Sequence, residues 1–364
     1  MIIKYISIGL LALYAYFVLT AWSRWRRTPV FEGTPKNNDD AAKIAVVVCC
    51  RNEEENIRNL YDSICRQTLQ PAEIVIANDH STDATPEIIQ ALGEKDPRVT
   101  TFSTQGFGKK NALREAVDKS SAPLIVCTDA DCTLPYSHLS DIAAFQEKYH
   151  ADMILGGVKL SPATTLFQKL QAIEFSSLIA SGAAAAFANT PFLCNGANLA
   201  FTRNSWERAK NHLQETLKSG DDIFMLQYLK QQHAKIMYMK SENLVATRPM
   251  KSVSAFFNQR KRWGSKTTAY SDSFSIFVAL LVFLLSLMMV VAVGLSFFNV
   301  ERFLCFALAM FLTKLAADFP LLKNFLASTG QRHLIALIPL AALLYPFYIV
   351  VAALGAIFGS FKWK

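Results

Sequence analysis

Apolar residues gather at the two ends of the chain, and a long alternating stretch lies between them. In residues 6–22 the only polar side chains are Ser7, Tyr14, Tyr16 and Thr20, and the run ends in Arg24, Trp25, Arg26 and Arg27. It is just long enough to cross a bilayer. A cleaved signal peptide carries its charges before the apolar run, but here only Lys4 precedes and the arginines follow. Residues 1–23 are therefore predicted to be an uncleaved anchor with its C-terminal flank in the cytoplasm. Near the other end, residues 274–298 and 334–358 are uncharged and read as spans. Between them, residues 303–322 are apolar but carry Lys314 and Asp318, spaced i,i+4 so that they pair on one helical face or meet a neighbouring helix or channel.

Basic flanks predict the topology. Lys261, Arg262 and Lys266 precede the second span, and Lys323 and Arg332 follow the third, which places both sides in the cytoplasm. Residues 24–273 would then be cytoplasmic and the N-terminus outside. Lys362 and Lys364 would fall outside, against the rule, so the last helix reads as either crossing or re-entrant.

Between the ends, residues 24–43 contain the Pro- and Gly-bearing string PVFEGTPKNNDD and read as a linker. Residues 44–50 form a valine-rich run suited to a strand buried on both faces. A helical period follows over 53–67, then strand 73–77, helix 86–92, strand 99–102, helix 110–117 and strand 123–128. Such alternation predicts a parallel sheet with helices on both faces and ligands at the carboxyl ends of the strands. The expected divisions are an anchor (1–23), a linker (24–43), a cytoplasmic α/β domain with interfacial helices (44–273) and a membrane region of about three helices (274–364). Residues 167–187 and 253–263 are the candidate interfacial helices, the second basic and aromatic.

Composition sharpens this picture. Over 364 residues, 52% are hydrophobic and 18% charged, with a mean hydropathy of +0.22. That excludes disorder. The net charge of +8 suits anionic lipid or phosphorylated substrates. Nucleic acid is not expected, because the basic residues cluster at membrane flanks without interleaved aromatics. The seven cysteines lack zinc-site spacing and read as small core residues in a reducing compartment.

Polar residues collect where the strands should end. Strand one runs into Arg51-Asn52-Glu53-Glu54, strand two into Asn78-Asp79-His80-Ser81-Thr82-Asp83, and strand four into Asp129-Ala130-Asp131. The spacing of Asp129 and Asp131 lets oxygens converge on a hard cation such as Mg²⁺ or Mn²⁺, shared with substrate phosphates. A dinucleotide-binding domain would show G-x-G-x-x-G after strand one, but CCRNEEEN stands there. The Gly-rich string Gly106-Phe107-Gly108-Lys109 follows strand three instead and opens a helix, so that its amides and Lys109 suit a phosphate.

The ordered strings VVVCCRNEEENI, IVIANDHSTD, GFGKKNAL, TDADC, NGANLAF, SGDDIF and QRKRW resemble those of the membrane-bound, inverting family 2 glycosyltransferases of the QxxRW type, which have the Rossmann-like GT-A fold. The likeness covers residues 44–263. It implies that Asp79 contacts the donor's nucleobase with Arg51 and Glu53 in the same pocket, and that Lys109 lies near the pyrophosphate. It further implies that Asp131 binds the metal ion directly, with Asp129 nearer the ribose or sugar. Asn78 and His80 depart from the family's DDGS string, standing where its first aspartate and its glycine would be. Asp222 matches the catalytic base, with Asp221 the runner-up; adjacent carboxylates oppose each other's ionisation, which helps a base work near neutrality. Gln259, Arg260, Arg262 and Trp263 match the terminal motif, the arginines suiting phosphate and the tryptophan an acceptor sugar.

The expected protein is thus a metal-dependent hexosyltransferase in a bacterial-type inner membrane. It would use Mg²⁺ or Mn²⁺ and a nucleotide-sugar donor, UDP-linked, with a lipid or lipid-linked acceptor. A processive polysaccharide synthase acting on a glycan is the alternative. A non-catalytic membrane scaffold would show damaged motifs, and the acidic, basic and QxxRW motifs are intact.

Overall fold

The computed structural model describes residues 2–33, 43–213, 220–266 and 269–358. Lys362 and Lys364, on which the direction of the last helix turns, lie outside them, as do residues 34–42 of the linker. The chain divides into two compact units. One comprises Pro29–Ser161 and Pro191–Arg248, and the other Met1–Thr28, Pro162–Thr190 and Pro249–Trp363. The two candidate interfacial helices of the expected 44–273 domain, α6 (Leu166–Ala186) and α9 (Val253–Gly264), group with the apolar helices.

In the α/β unit, β1 (Ile44–Cys50), β2 (Glu73–Asn78), β3 (Val99–Ser103) and β4 (Leu124–Asp129) fall where the alternation placed them. The helices between them are α2 (Ile57–Cys65), α3 (Thr85–Lys95) and α4 (Lys109–Asp118). The sheet has the order β3-β2-β1-β4-β7-β5-β8. Because β2 and β4 flank β1 on opposite sides, all parallel, the chain reverses direction across the sheet there and leaves a crevice at the carboxyl ends. Ile44, Ala45, Val46 and Val48 are fully buried, as a strand covered on both faces requires.

The sheet is not wholly parallel. β7 (Leu199–Thr202), from the NGANLAF string, lies antiparallel between β4 and β5 (Met153–Gly156), and β8 (Ile236–Met239) pairs parallel with β5. A two-stranded ribbon joins β6 (Val158–Leu160) and β9 (Val245–Thr247). Helices α5 (His138–Tyr149), α7 (Arg203–Ala209) and α8 (Asp221–Gln231) complete the unit.

The other unit holds α1 (Ile2–Arg27), α10 (Ser273–Ser296), α11 (Val300–Ser328) and α12 (Ile338–Phe358). Four helices among the described residues are long and apolar enough to cross a membrane: Lys4–Arg27, Ser273–Ser296, Phe303–Ser328 and Arg332–Ala356. Leu11 of α1 packs with Leu285, Met289 and Ala292 of α10 and with Ala307 and Met310 of α11. Thr165 and Gln168 form a reciprocal cap that fixes the start of α6. Cysteines are not uniformly core: all are free, and Cys305 on α11 is exposed.

Candidate active site

Loops leaving β1 and β2 are latched together. The Asn52 side-chain oxygen accepts from the Thr82 amide at 2.8 Å, the Glu53 amide donates to Thr85 Oγ1 at 2.8 Å, and the Ala84 amide donates to Glu54 Oε2 at 2.9 Å. Glu53 itself accepts from Asn56 Nδ2 at 2.8 Å, at the entrance to α2. The Asp79 side chain is only 5% exposed, with Arg51 Nη1 at 4.0 Å. Its Oδ1 accepts from the Gly108 amide at 2.9 Å, which ties the Gly-rich loop after β3 to the end of β2.

A second cluster forms around Lys109, the first residue of α4. Its ammonium lies 2.6 Å from Asp129 Oδ1. The Asp222 Oδ2 atom accepts from the Gly196 amide at 3.1 Å. A Cβ on Gly196 would lie 3.3 Å from Lys109 Nζ and 3.6 Å from Asp222 Oδ2, so a glycine here lets cation and carboxylate approach the same backbone. Burial alone would push the Lys109 ammonium down, but Asp129, Asp221 and Asp222 outweigh it and hold the lysine well above its ordinary range. Asp221 and Asp222 occupy the first turn of α8, where the helix dipole favours negative charge, after Gly220 in a left-handed conformation (φ 102°). Asp221 is buried and Asp222 more open.

Lys109, Asp221 and Asp222 line a small pocket with Val47, Cys49, Cys127 and Thr128, with room for about one water molecule. Burial pushes the Cys49 and Cys127 thiols up, so they are neutral walls rather than nucleophiles. Asp131 accepts from Thr247 Oγ1 of β9 at 3.0 Å. Thr247 carried no signal in the sequence, because its strand is three residues long and far away in the chain.

Lys109, Asp129, Asp221 and Asp222 thus come together, and Arg51, Glu53 and Asp79 meet at the ends of β1 and β2. Gln259, Arg260, Arg262 and Trp263 lie on α9, in the other unit. There Arg260 is 5% exposed and ion-pairs with Glu174 of α6, while its Nε donates to Tyr348 Oη of α12 at 3.0 Å. It also donates to Gln259 Oε1 at 2.7 Å and covers the Trp263 ring at 4.1 Å. The motif resemblance points Arg260 to phosphate; in the structure its guanidinium pairs with Glu174. Glu174, a single acid in an apolar helix, was the signal for this partner.

Residues 45–208 match the family model Glycosyl transferase family 2. Poly-beta-1,6-N-acetyl-D-glucosamine synthase of Staphylococcus aureus (strain COL) is 27% identical over 147 residues, 39% of this chain and 35% of the relative. The Staphylococcus epidermidis protein of the same name is 27% identical over 140 residues, 37% of this chain and 33% of the relative. The chain spans about a third of the length of these curated relatives. Among solved structures, a mannosyltransferase from Pyrobaculum calidifontis in complex with GDP-Man and Mn²⁺ covers 98% of this chain and 99% of its own, with a TM-score of 0.56 and 17% identity. That likeness is one of fold, the mixed α/β GT-A arrangement.

Proposed function

We propose that this chain, which carries a glycosyl transferase family 2 domain, is a membrane-bound inverting glycosyltransferase that moves a sugar from a UDP-linked donor to a lipid or lipid-linked acceptor. The observation that carries the reading is the gathering of Asp129, Asp221 and Asp222 around the Lys109 ammonium, which lines a small pocket with Asp221 and Asp222. Two kinds of group are needed there: a base for the acceptor hydroxyl, and positive charge for the departing diphosphate. Asp222 is the base, since it is the more open of the pair and the Gly196 amide orients it. Taking the hydroxyl proton lets that oxygen attack the anomeric carbon opposite the leaving diphosphate, which inverts the centre. Lys109 brings the positive charge, and Asp129 holds it in place. Arg51, Glu53 and Asp79 serve the base and ribose end.

Asp131 and Asp129 offer hard carboxylate oxygens, which suit Mg²⁺ or Mn²⁺. Among the described residues no group of three or more His, Cys, Asp or Glu is placed to hold an ion. These residues fit an ion that completes its shell with donor phosphate oxygens, and such an ion would neutralise charge on the leaving group. Gln259, Arg262 and Trp263 are assigned to donor and acceptor by their motif. The α/β unit faces the cytoplasm at a bacterial-type inner membrane, as the basic flanks of the spans require.

Replacing Asp222 with Asn should abolish transfer and leave UDP binding intact; surviving transfer would move the base to Asp221. Chelating divalent ions should weaken UDP binding, and unchanged affinity would remove the ion from the site. Processive polymer synthesis is the second reading, favoured by the names of the Staphylococcus relatives. Membranes given labelled UDP-GlcNAc decide between the two, since label enters chloroform-extractable lipid in the first case and high-molecular-weight polymer in the second.

A further inference from the structure

The α/β unit hides its large apolar side chains with two exceptions among the described residues, Phe107 at 70% exposure and Tyr136 at 69%. Water around an exposed aromatic ring is costly, and an isolated ring at a binding crevice is a feature to explain. Phe107 sits between Gly106 and Gly108, and Gly108 has φ 95°, so the ring projects from a backbone that few other residues could form. Its ring stacks on His80 with centroids 3.9 Å apart and planes 17° from parallel. His80 has φ 56°, a left-handed backbone that costs a residue with a Cβ about 1 kcal/mol or more. This is the position at which the DDGS string has a glycine, so the strain is accepted here together with an aromatic ring.

The same place is fixed from below. The Gly108 amide donates to Asp79 Oδ1 at 2.9 Å, His80 Nδ1 lies 3.4 Å from that oxygen, and the Thr104 amide donates to the Asn78 carbonyl at 3.0 Å. Two loops from neighbouring strands therefore present one preassembled aromatic plate beside Asp79. One face of the Phe107 ring is covered by the imidazole and the other is open.

We propose that the open face of Phe107, backed by His80, is the stacking platform for the donor's nucleobase, and that it sets affinity for the base rather than for the diphosphate. The inference rests on the nucleotide-sugar reading above. A flat π-system with an exposed face suits a planar heterocycle, and the imidazole behind it stops the ring from turning away when the base arrives. Base stacking on an aromatic side chain is lost about tenfold or more when the ring is removed.

The test is calorimetric titration of the detergent-solubilised full chain with UDP and, separately, with inorganic pyrophosphate. Phe107→Ala should weaken UDP about tenfold and leave pyrophosphate unchanged, whereas Phe107→Trp should retain UDP binding. His80→Gly relieves the backbone strain and removes the backing plate, so UDP should weaken by a smaller factor without loss of folding. Equal losses for UDP and pyrophosphate in Phe107→Ala would reduce the ring to a loop-ordering role and overturn the proposal, as would unchanged UDP affinity. Failure of the unsubstituted chain to bind UDP at all would instead sink the nucleotide-sugar reading itself.

Discussion

The two units bury opposite things. In the α/β unit the interior is Ile44, Val46, Ile74, Ile125 and Trp206, while Asp221 and Asp222 line a small pocket with Lys109. In the helical unit the outside is apolar, with Leu280, Leu308, Leu312 and Val351 exposed, and the inside holds ions. Lys314 lies 2.5 Å from Asp318, Tyr14 Oη donates to that carboxylate at 2.8 Å, and Arg260 is paired with Glu174 and Tyr348. Four helices of this unit are long and apolar enough to cross a membrane, and hydrocarbon solvates no charge, so ions on such helices are expected to turn inward and pair. Paired charge lines a pocket in one unit and is sealed between helices in the other.

The largest expected effect comes from breaking a buried pair. Glu174→Ala should cost about 3–5 kcal/mol by leaving the Arg260 guanidinium unpaired in the interior, read as a fall in the thermal unfolding midpoint in detergent. The double change Glu174→Leu with Arg260→Met should recover most of that loss, since an apolar pair needs no partner. If the single change has no effect, the pair is not a dry one and the contrast between the units fails.

Removing charge from the α/β unit should act on activity instead. Lys109→Met is expected to lower transfer about 100-fold, comparable to losing one preorganised donor at a reacting group. Stability should change by no more than about 1 kcal/mol, because the lysine side chain is 29% exposed and its ion pair is screened. A large loss of stability without loss of transfer would reverse the assignment.

Acid should weaken the α/β unit over two pH windows. Burial pushes the His138 imidazole down to about 4. The unfolded chain binds this proton below about 6.5 and the folded one does not, so stability is complete above that value and falls as pH drops toward about 4. His138→Leu should flatten this window, by on the order of 3 kcal/mol. The smallest effect is at Asp96, which the Arg98 guanidinium holds at about 2. Its contribution is present above about 4 and is lost as pH falls toward 2, and Asp96→Asn should remove that slope in urea titrations at successive pH values.

Much of the first half of the sheet was legible, because β1, β2 and β4 are buried on both faces and leave unbroken apolar runs. β7 was not, since it is four residues long and follows the polar Asn195-Gly196-Ala197-Asn198, with no period to read. Within the site, Lys109, Asp129, Asp221 and Asp222 were all visible as motif residues. That Lys109 pairs with Asp129 was not, because it depends on how α4 meets the end of β4. The terminal motif points Arg260 to phosphate, and its pairing with Glu174, distant in the chain, is not legible in that motif. His80 was legible as an anomaly, and its meaning required the Phe107 ring.

The antiparallel strand bears on how the protein is made. β4 needs β7 beside it, with Cys127 opposite Leu199, yet α6, which belongs to the helical unit, is synthesised between them. During synthesis β4 leaves the ribosome as a provisional edge, exposed until a segment destined for other company has passed. Closing that gap requires a long loop, which slows folding and leaves an unpaired strand open to wrong partners. A ribosome stalled just before residue 199 should therefore hold a protease-sensitive, aggregation-prone half-sheet, and one stalled after β8 a resistant one.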